Sequence, residues 1–527
     1  MRATRTRDRG VDASGSVHAN AAARPAVTID TIDRSKRGFK PPSIVNRDDE
    51  GVGDAGAATN TRVCGTRSER RDFGTRRRLA PTPLPHARSR RVDEMAPAGG
   101  GVGSVDLRSV VCLDDLERHA RLVMDAQDFD YFAGGAETET TLRANASAFA
   151  RVTLWPRCLV DVSRVTTETA PMPSVGVHAP LAAPILVAPV AMQRMAHPDG
   201  EIGAALACAE ARVPYCASQQ STTRVERIGE AIAKASGATM WFQLYVLRDR
   251  AAVEALVRRA ERAGATALVV TVDAPTLGRR ERDVRNKFAL AAGLRLANVD
   301  AEVPESKSKS KSKSKSESGS SAPSSSAQAS ISRRIGGRDD SLTWRDVRWL
   351  RSITSLPVIL KGVLTPEDAR DAVASGAAAV WVSNHGGRQL DGAPATLEAL
   401  PGVARGVSGR VPIIFDGGVR RGADALKAIA LGADLVAVGR PAAFGLACAG
   451  RAGVEAALGM LAEELRTAMA LAGVRDVEEA KDRRLVATPA DRWGEFGGGG
   501  ARGDERVSAL RRWKSPGTRG KAPRAKM

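Results

Sequence analysis

Eight short, nearly unbroken apolar runs, spaced by helical patterns, constrain the fold of this chain more than any other feature. Between Pro184 and roughly Ala480 they read PILVAP (184–189), YCASQQ (215–220), MWFQLY (240–245), ALVVTVDA (267–274), PVILKG (357–362), AAVWVSNH (378–385), VPIIFDGG (411–418) and LVAVGR (435–440). A strand that is apolar at consecutive positions is covered on both faces, which is the condition of a parallel sheet wrapped by helices. The intervening segments supply those helices: in 250–263, Val253, Leu256, Val257 and Ala260 fall on one stripe at i, i+3, i+4 and i+7. Three helix exits share a Gly-Ala pair before the next apolar run, Gly264-Ala265, Gly376-Ala377 and Gly432-Ala433. A glycine there can take the left-handed conformation that ends a helix, so the phrase marks a recurring αβ unit. An open doubly wound sheet would also alternate in this way. Eight parallel strands close without leaving edges to protect, so the expectation is an α/β fold, a (β/α)₈ TIM barrel.

The flanks read differently. Residues 1–105 mix Arg, Asp, Gly, Ala and Pro without periodicity, which suggests disorder or a targeting extension. From Ser104 to Phe149, Leu116, Ala120 and Val123 at i, i+4 and i+7 predict a short helical N-terminal segment leading into the barrel. A Ser/Lys stretch at 303–330 interrupts the barrel between its fourth and fifth strands and has almost nothing apolar to bury, which predicts a surface insertion. The domain is thus placed at 106–481, with a basic disordered tail over 482–527. These flanks also explain the net charge of +19. Residues 1–100 carry 20 Lys/Arg against 12 Asp/Glu, 482–527 carry 12 against 5, and 303–330 carry 5 against 2. The barrel itself is therefore nearly neutral, and no aromatic interleaving or nucleic-acid motif accompanies the charge, so no nucleic-acid partner is expected. The longest apolar stretch, Leu181 to Met192, contains two prolines and is too short to span a bilayer, so no transmembrane segment is expected. Six scattered cysteines without a CxxC pair, and no histidines at zinc spacing, argue for a reduced compartment and no structural metal.

Active sites of such barrels sit at the C-terminal strand ends. Here those ends are polar or glycine-rich: Gln243 and Tyr245, Thr271 and Asp273, Lys361, Ser383 and His385 with Arg388, Asp416 with Gly417-Gly418, and Gly439-Arg440. A histidine beside an arginine can remove a proton near neutrality while the cation grips a carboxylate. Asp273 closes an apolar run, where a carboxylate is costly unless paired; a turn cap is the other reading. Lys361 follows four apolar residues, which disfavours a plain surface lysine.

The blocks VAPVAMQRMAHPDGE (187–201), FQLYV (242–246), TVDAPTLGRRERDVRNKF (271–288), LKGVLTPEDA (360–369), VSNHGGRQLD (382–391) and FDGGVRRG (415–422), in this order, resemble the FMN-dependent 2-hydroxy-acid dehydrogenases and oxidases of the glycolate oxidase and lactate oxidase type, over roughly residues 107–480. The resemblance implies an FMN cofactor and oxidation of a short (S)-2-hydroxy acid to the 2-oxo acid. His385 would be the base that accepts a proton while a hydride equivalent reaches flavin N5, Asp273 would orient it, and Tyr245 would bond the substrate oxygen. Tyr131, Arg280 and Arg388 would hold the substrate carboxylate, although Arg279 and Arg280 also read as a solvated pair. Lys361 would stand at flavin N1 and O2. Ser218, Gln243, Thr271 and Ser383 would contact the ring system, and Ala188, Val190 and Ala191 would line it. Asp416, Gly417, Gly418, Arg420, Gly439 and Arg440 would form the phosphate end, small residues letting backbone N–H groups approach.

Two departures bear on specificity. Gln220 stands where plant glycolate oxidases have Trp, which puts glycolate itself in question. Ala191 stands where mandelate dehydrogenases tend to have Gly, which favours O2 as electron acceptor and H2O2 as product over a dehydrogenase passing electrons to a quinone or cytochrome. The family resemblance further implies a homo-oligomer, tetramer or octamer. The C-terminal Ala525-Lys526-Met527 is similar to a peroxisomal address, which fits a peroxide-producing enzyme and a photorespiratory setting; import by the Arg-rich N-terminus or a cytoplasmic location are the alternatives. A GxGxxG at Gly498–Gly503 follows no strand and is read as chance.

Overall fold

The computed structural model describes residues 105–235, 238–299 and 337–488. All eight apolar runs are strands of one closed parallel barrel. A two-residue strand, β1 (Thr153–Leu154), precedes them. The barrel then comprises β2 (Ile185–Val187), β3 (Tyr215–Ser218), β4 (Met240–Leu244), β5 (Ala267–Thr271), β6 (Val358–Val363), β7 (Ala379–Val382), β8 (Ile413–Asp416) and β9 (Leu435–Val438). Each strand pairs with the next in sequence, and β2 closes on β9 with Leu186 opposite Ala437. The polar residues at the ends of several runs lie just past the last ladder pairs, where they form the rim.

Side-chain alternation divides the core in two. Leu186, Cys216, Trp241, Val269, Ile359, Trp381, Ile414 and Leu435 fill the barrel interior. Their neighbours, such as Phe242, Val270, Leu360, Val382 and Phe415, pack outward against the helices. Trp241 and Trp381 meet edge to face inside, with ring centroids 6.3 Å apart. Because the strand period is two, stepping by two from this interior layer gives the inward positions of the next layer up. Those positions are Ser218, Gln243, Thr271, Lys361, Ser383 and Asp416.

The helix Arg250–Arg262 buries Val253, Leu256, Val257 and Ala260, the stripe read from sequence. The three Gly-Ala exits also behave as expected: Gly264, Gly376 and Gly432 have φ of +85°, +83° and +115°. The N-terminal segment forms helices Leu113–Val123, Ala126–Ala133 and Thr140–Arg151, with Leu116 and Ala120 buried and Val123 half-buried.

One feature bears on the expected lack of a transmembrane segment, and one domain boundary needs correction. The helix Arg440–Leu471 is long and apolar enough to cross a membrane by length and composition. Most of it is buried, packed on Leu113–Val123, Gly200–Glu210 and Gly422–Ala430, and it breaks at Ala449-Gly450, as a core helix can. The domain also continues past 481. Asp482 caps a 3₁₀ turn over Arg483–Leu485, and β10 (Val486–Ala487) pairs antiparallel with β1. The buried apolar side chains of Leu485, Val486 and Ala487 explain why this stretch is ordered although its neighbours are basic. The 303–330 insertion, the expectation of disorder for 1–104, the rest of the tail and the C-terminal tripeptide lie outside the described residues.

Candidate active site

The inward layer above the tryptophans is polar on six consecutive strands. Ser218 Oγ donates to Gln243 Oε1 (3.2 Å), and Gln243 Nε2 donates to Thr271 Oγ1 (3.0 Å). On the next three strands, Lys361 Nζ donates to Ser383 Oγ (2.8 Å), and Ser383 Oγ in turn donates to Asp416 Oδ1 (2.8 Å). Asp416 Oδ2 accepts from Trp381 Nε1 (3.0 Å) and lies 3.3 Å from Lys361 Nζ. Burial opposes the charge of Lys361, but the Asp416 carboxylate, helped by Asp273, outweighs it and holds the ammonium pKa above its ordinary value. A fixed cation therefore sits at the floor of the site.

One step higher, at the same inward parity, are Tyr245, Asp273 and His385. His385 Nδ1 is 2.9 Å from Asp273 Oδ1, and the Tyr245 hydroxyl is 3.4 Å from His385 Nε2. Desolvation pulls the imidazole pKa below its usual value despite the raising effect of Asp273. Burial pushes the Asp273 carboxyl up, but His385, Lys361 and Arg338 bring it below its usual value overall. The pair thus rests as neutral imidazole and carboxylate, with Nδ1–H donated to Asp273 and the Nε2 lone pair facing the cavity. That arrangement can take up a proton.

The backbone aims this ring. His385, Gly386 and Gly387 are three consecutive left-handed residues (φ +59°, +64°, +74°), and the His385 N–H donates to Ser383 Oγ (3.1 Å). The N-terminal helix Thr140–Arg151 braces the loop through a reciprocal amide pair. Asn145 Nδ2 donates to Asn384 Oδ1 (2.9 Å) and Asn384 Nδ2 to Asn145 Oδ1 (2.8 Å), both buried.

Arg388 is braced by the carbonyls of Tyr131 and Gly134 and lies over the Tyr131 ring. The Arg279/Arg280 pair divides: Arg279 is exposed, whereas Arg280 lines the cavity with a buried, unpartnered Nε. Burial, reinforced by Arg388, pulls the Arg280 pKa down to about 10. Two guanidinium groups thus face one space, with Asp283 the carboxyl whose field reaches both. They are arranged to receive an anion.

A second cationic group adjoins this one, since Arg440 and Arg388 share the Gly134 carbonyl. Arg440 is held by the carbonyls of Phe132, Gly386 and Gly134 (2.9, 3.0 and 2.8 Å), with its pKa lowered to about 9 by burial and then by Arg388 and Arg420. Arg420 reaches Glu117 at 3.2 Å. Gly417 and Gly418 have φ of +113° and +82°, and a Cβ on Gly418 would come within 2.2 Å of the Asn145 carbonyl. Among the described residues the backbone N–H groups of Gly418, Val419 and Gly439 have no acceptor. Unspent N–H donors between two arginines make a phosphate cradle. Asp416 turns its carboxylate away from this cradle, toward Lys361. Ala188, Val190, Ala191 and Gly439 give the cavity an apolar, small-residue wall. The cavity measures about 1100 Å³ including its open mouth.

Of the residues given site roles from sequence, all line this cavity except Asp273, which backs His385, and Ser383, which bonds Lys361, while Arg279 points to solvent. Three contributors were missed. Gln219 accepts the Tyr245 backbone N–H (2.6 Å), the Asn145–Asn384 pair links positions 239 apart, and Arg338 stacks on Tyr245. Nothing local in the sequence distinguishes them.

Comparison with known proteins agrees with this geometry. The family model for FMN-dependent dehydrogenase matches residues 120–487. Glycolate oxidase 3 of Arabidopsis thaliana is 45% identical over 366 residues, covering 69% of this chain and 93% of that protein. L-lactate oxidase of a Nostoc species is 42% identical over 377 residues, covering 71% and 97%. A crystal structure of mandelate oxidase matches with a TM-score of 0.63 at 43% identity, covering 72% of this chain and 99% of that one. On the barrel, the site and these matches together, the chain belongs to the FMN-dependent dehydrogenase family.

Proposed function

We propose that the protein oxidises short (S)-2-hydroxy acids of the glycolate or lactate type to 2-oxo acids, with O2 reduced to H2O2. The observation that carries this reading is the convergence of a neutral, Asp273-backed imidazole and the Arg280/Arg388 pair on one cavity that Arg420, Arg440 and the Gly417-Gly418 turn also line. The residues present fit FMN. Arg420, Arg440 and the open N–H groups of the glycine turns would hold its phosphate, and Ala188, Val190 and Ala191 would line its ring. Lys361, with the Ser218–Gln243–Thr271 rung, would meet the polar edge of the ring. When bound, FMN supplies the two-electron acceptor that no side chain can provide.

The protein's own part is positioning and proton transfer. Arg388 and Arg280 grip the substrate carboxylate, Arg388 as a rigid fork because two carbonyls fix it. Tyr131 closes the pocket from the N-terminal segment, its ring stacked on Phe288 at 4.7 Å. Tyr245 orients the substrate oxygen toward His385, which takes the proton at Nε2. Asp273 then stabilises the imidazolium. Lys361 is the cation that would offset negative charge on the reduced cofactor.

Homo-oligomerisation as a tetramer or octamer is part of the same proposal, supported by exposed Trp155, Leu159 and Leu471 and tested by light scattering. So is peroxisomal targeting by Ala525-Lys526-Met527, tested by deleting those residues from a fluorescent fusion. The activity is tested by anaerobic mixing of the yellow holoenzyme with lactate or glycolate. Bleaching, then recovery with stoichiometric peroxide on admitting O2, is the expected result. Bleaching with slow recovery in O2 would select electron transfer to a quinone or cytochrome instead, and no bleaching by any 2-hydroxy acid would overturn the reading.

A further inference from the structure

Arg338 is a third guanidinium at the substrate end of the cavity, and the chemistry above gives it no work. It is nine-tenths buried (7% exposed), lines the cavity, and stacks on Tyr245 with its guanidinium carbon 3.8 Å from the ring centroid. Among the described residues its hydrogen bonding is poor: Nη1 reaches the Ala274 carbonyl at 3.4 Å, and Nε is buried with no partner. The acids next to it in sequence are spent elsewhere. Asp339 binds Arg250 and Ser341, and Asp340 binds Arg248. Asp273, whose field does reach Arg338, is committed to His385. A buried, unneutralised cation is costly and persists where something compensates it.

The charges around the base show what is missing. Lys361 is matched by Asp416, and one substrate carboxylate satisfies Arg280 with Arg388. Among the described residues Arg338 remains over. It stands across Tyr245, where Tyr245 and Arg338 together also wall a second, adjoining cavity. Gln220 lines the same cavity, next in sequence to Gln219, whose side chain accepts the Tyr245 N–H; it is buried to 8% exposure, and its carboxamide has no bond to any described residue.

Resting on the hydroxy-acid reading, we infer that Arg338, with Gln220, recognises a second carboxylate, so that the favoured substrates are 2-hydroxy dicarboxylic acids rather than glycolate or lactate. The reaction is unchanged: the C2–H and O–H bonds are lost as a proton to His385 and two electrons with a second proton to FMN, and the distal carboxylate is a spectator that anchors the chain.

The test uses holoenzyme and size-matched pairs: (S)-2-hydroxysuccinate against (S)-2-hydroxybutyrate, and (S)-2-hydroxyglutarate against (S)-2-hydroxyvalerate. The expected kcat/KM favours at least one dicarboxylate by about tenfold to a hundredfold, the range of a charge-assisted hydrogen bond. In Arg338→Met that ratio collapses through KM, and Arg338→Lys restores part of it. If the wild-type holoenzyme prefers the monocarboxylate of both pairs, or if Arg338→Met lowers all four substrates equally, the inference is overturned and Arg338 only supports Tyr245. If none of the four, nor lactate, reduces the flavin, the hydroxy-acid reading itself fails.

Discussion

Replacing Asp273 with Asn keeps the shape of the side chain and removes only the charge behind the base. Shape matters here because Gly362 packs so closely that a Cβ on it would lie 2.6 Å from that of Asp273. The Nδ1–Oδ1 contact is 2.9 Å, which puts the charge centres of an imidazolium–carboxylate pair about 4 Å apart, where an effective dielectric near 20 gives about 4 kcal/mol. If the proton is half transferred in the transition state, about 2 kcal/mol of that is lost. If it is fully transferred, the whole 4 kcal/mol is lost. At about 1.4 kcal/mol per decade, flavin reduction should slow by about 30-fold to about 1000-fold. The sign of the pH effect is also fixed. The base works as neutral imidazole, so activity is present above the His385 pKa and lost below it. Desolvation already holds that pKa below the ordinary histidine value, so the acid limb of the wild-type profile should lie below about 6.5. Asp273 raises the His385 pKa, so removing its charge must move the limb to still lower pH. Stopped-flow reduction under anaerobic conditions, followed across pH, measures both effects. Slowing of less than about threefold, or an acid limb that moves upward, would refute the assignment of Asp273 as the partner of the base.

Lys361→Met should leave Asp416 buried without its cation, destabilising the fold by about 3–5 kcal/mol and weakening FMN retention; thermal unfolding and fluorescence titration of released FMN check both. Asn384→Ala strands the buried Asn145 amide and should cost about 1–3 kcal/mol, with kcat falling more than KM changes because the His385 loop loses its brace. Gly418→Ala drives a methyl group against the Asn145 carbonyl at a left-handed φ, so the purified variant should contain little FMN yet still be reduced by substrate where loaded. An unchanged flavin content in this last variant would remove the turn from the phosphate cradle.

Much of this molecule was readable from strand parity alone. Once Trp241 and Trp381 are known to point inward, counting by two reaches Gln243 and Tyr245 on one strand and Ser383 and His385 on another. The same count reaches Thr271 and Asp273, and Lys361 from Ile359. Period-two geometry thus carries a core pattern directly into a site. The helix ends were readable for a different local reason, since only glycine takes a left-handed φ without strain. Contacts that depend on the closed barrel were not readable. Asn145 and Asn384 look like ordinary helix and loop polar residues until closure brings them together. Arg279 and Arg280 are chemically identical in sequence, and only the path of the loop sends one to solvent and the other into the cavity. The segment 482–488 sits among basic residues that suggest a tail, while three apolar side chains decide its docking against β1.

The left-handed run at 385–387 joins fold to chemistry. A strand continuing straight from Val382 would carry the histidine away from the barrel axis along the rim. Turning the chain through three successive positive-φ residues folds the imidazole back over Asp273 and Tyr245. Histidine tolerates this conformation better than branched residues do, but it is still strained by about 1–3 kcal/mol. Strain of that size persists only where the surroundings leave no relaxed alternative. Here Gly387 has no room for a Cβ against the Leu142 backbone, Arg440 closes on the Gly386 carbonyl, and the Asn145–Asn384 pair fixes the residue before the turn. Two of those three restraints come from the N-terminal helix Thr140–Arg151, and the third comes from an arginine of the phosphate end. The aim of the base is therefore set jointly by the docked N-terminal segment and by the cofactor cradle, so damage at either place should register at His385 before it registers in the barrel.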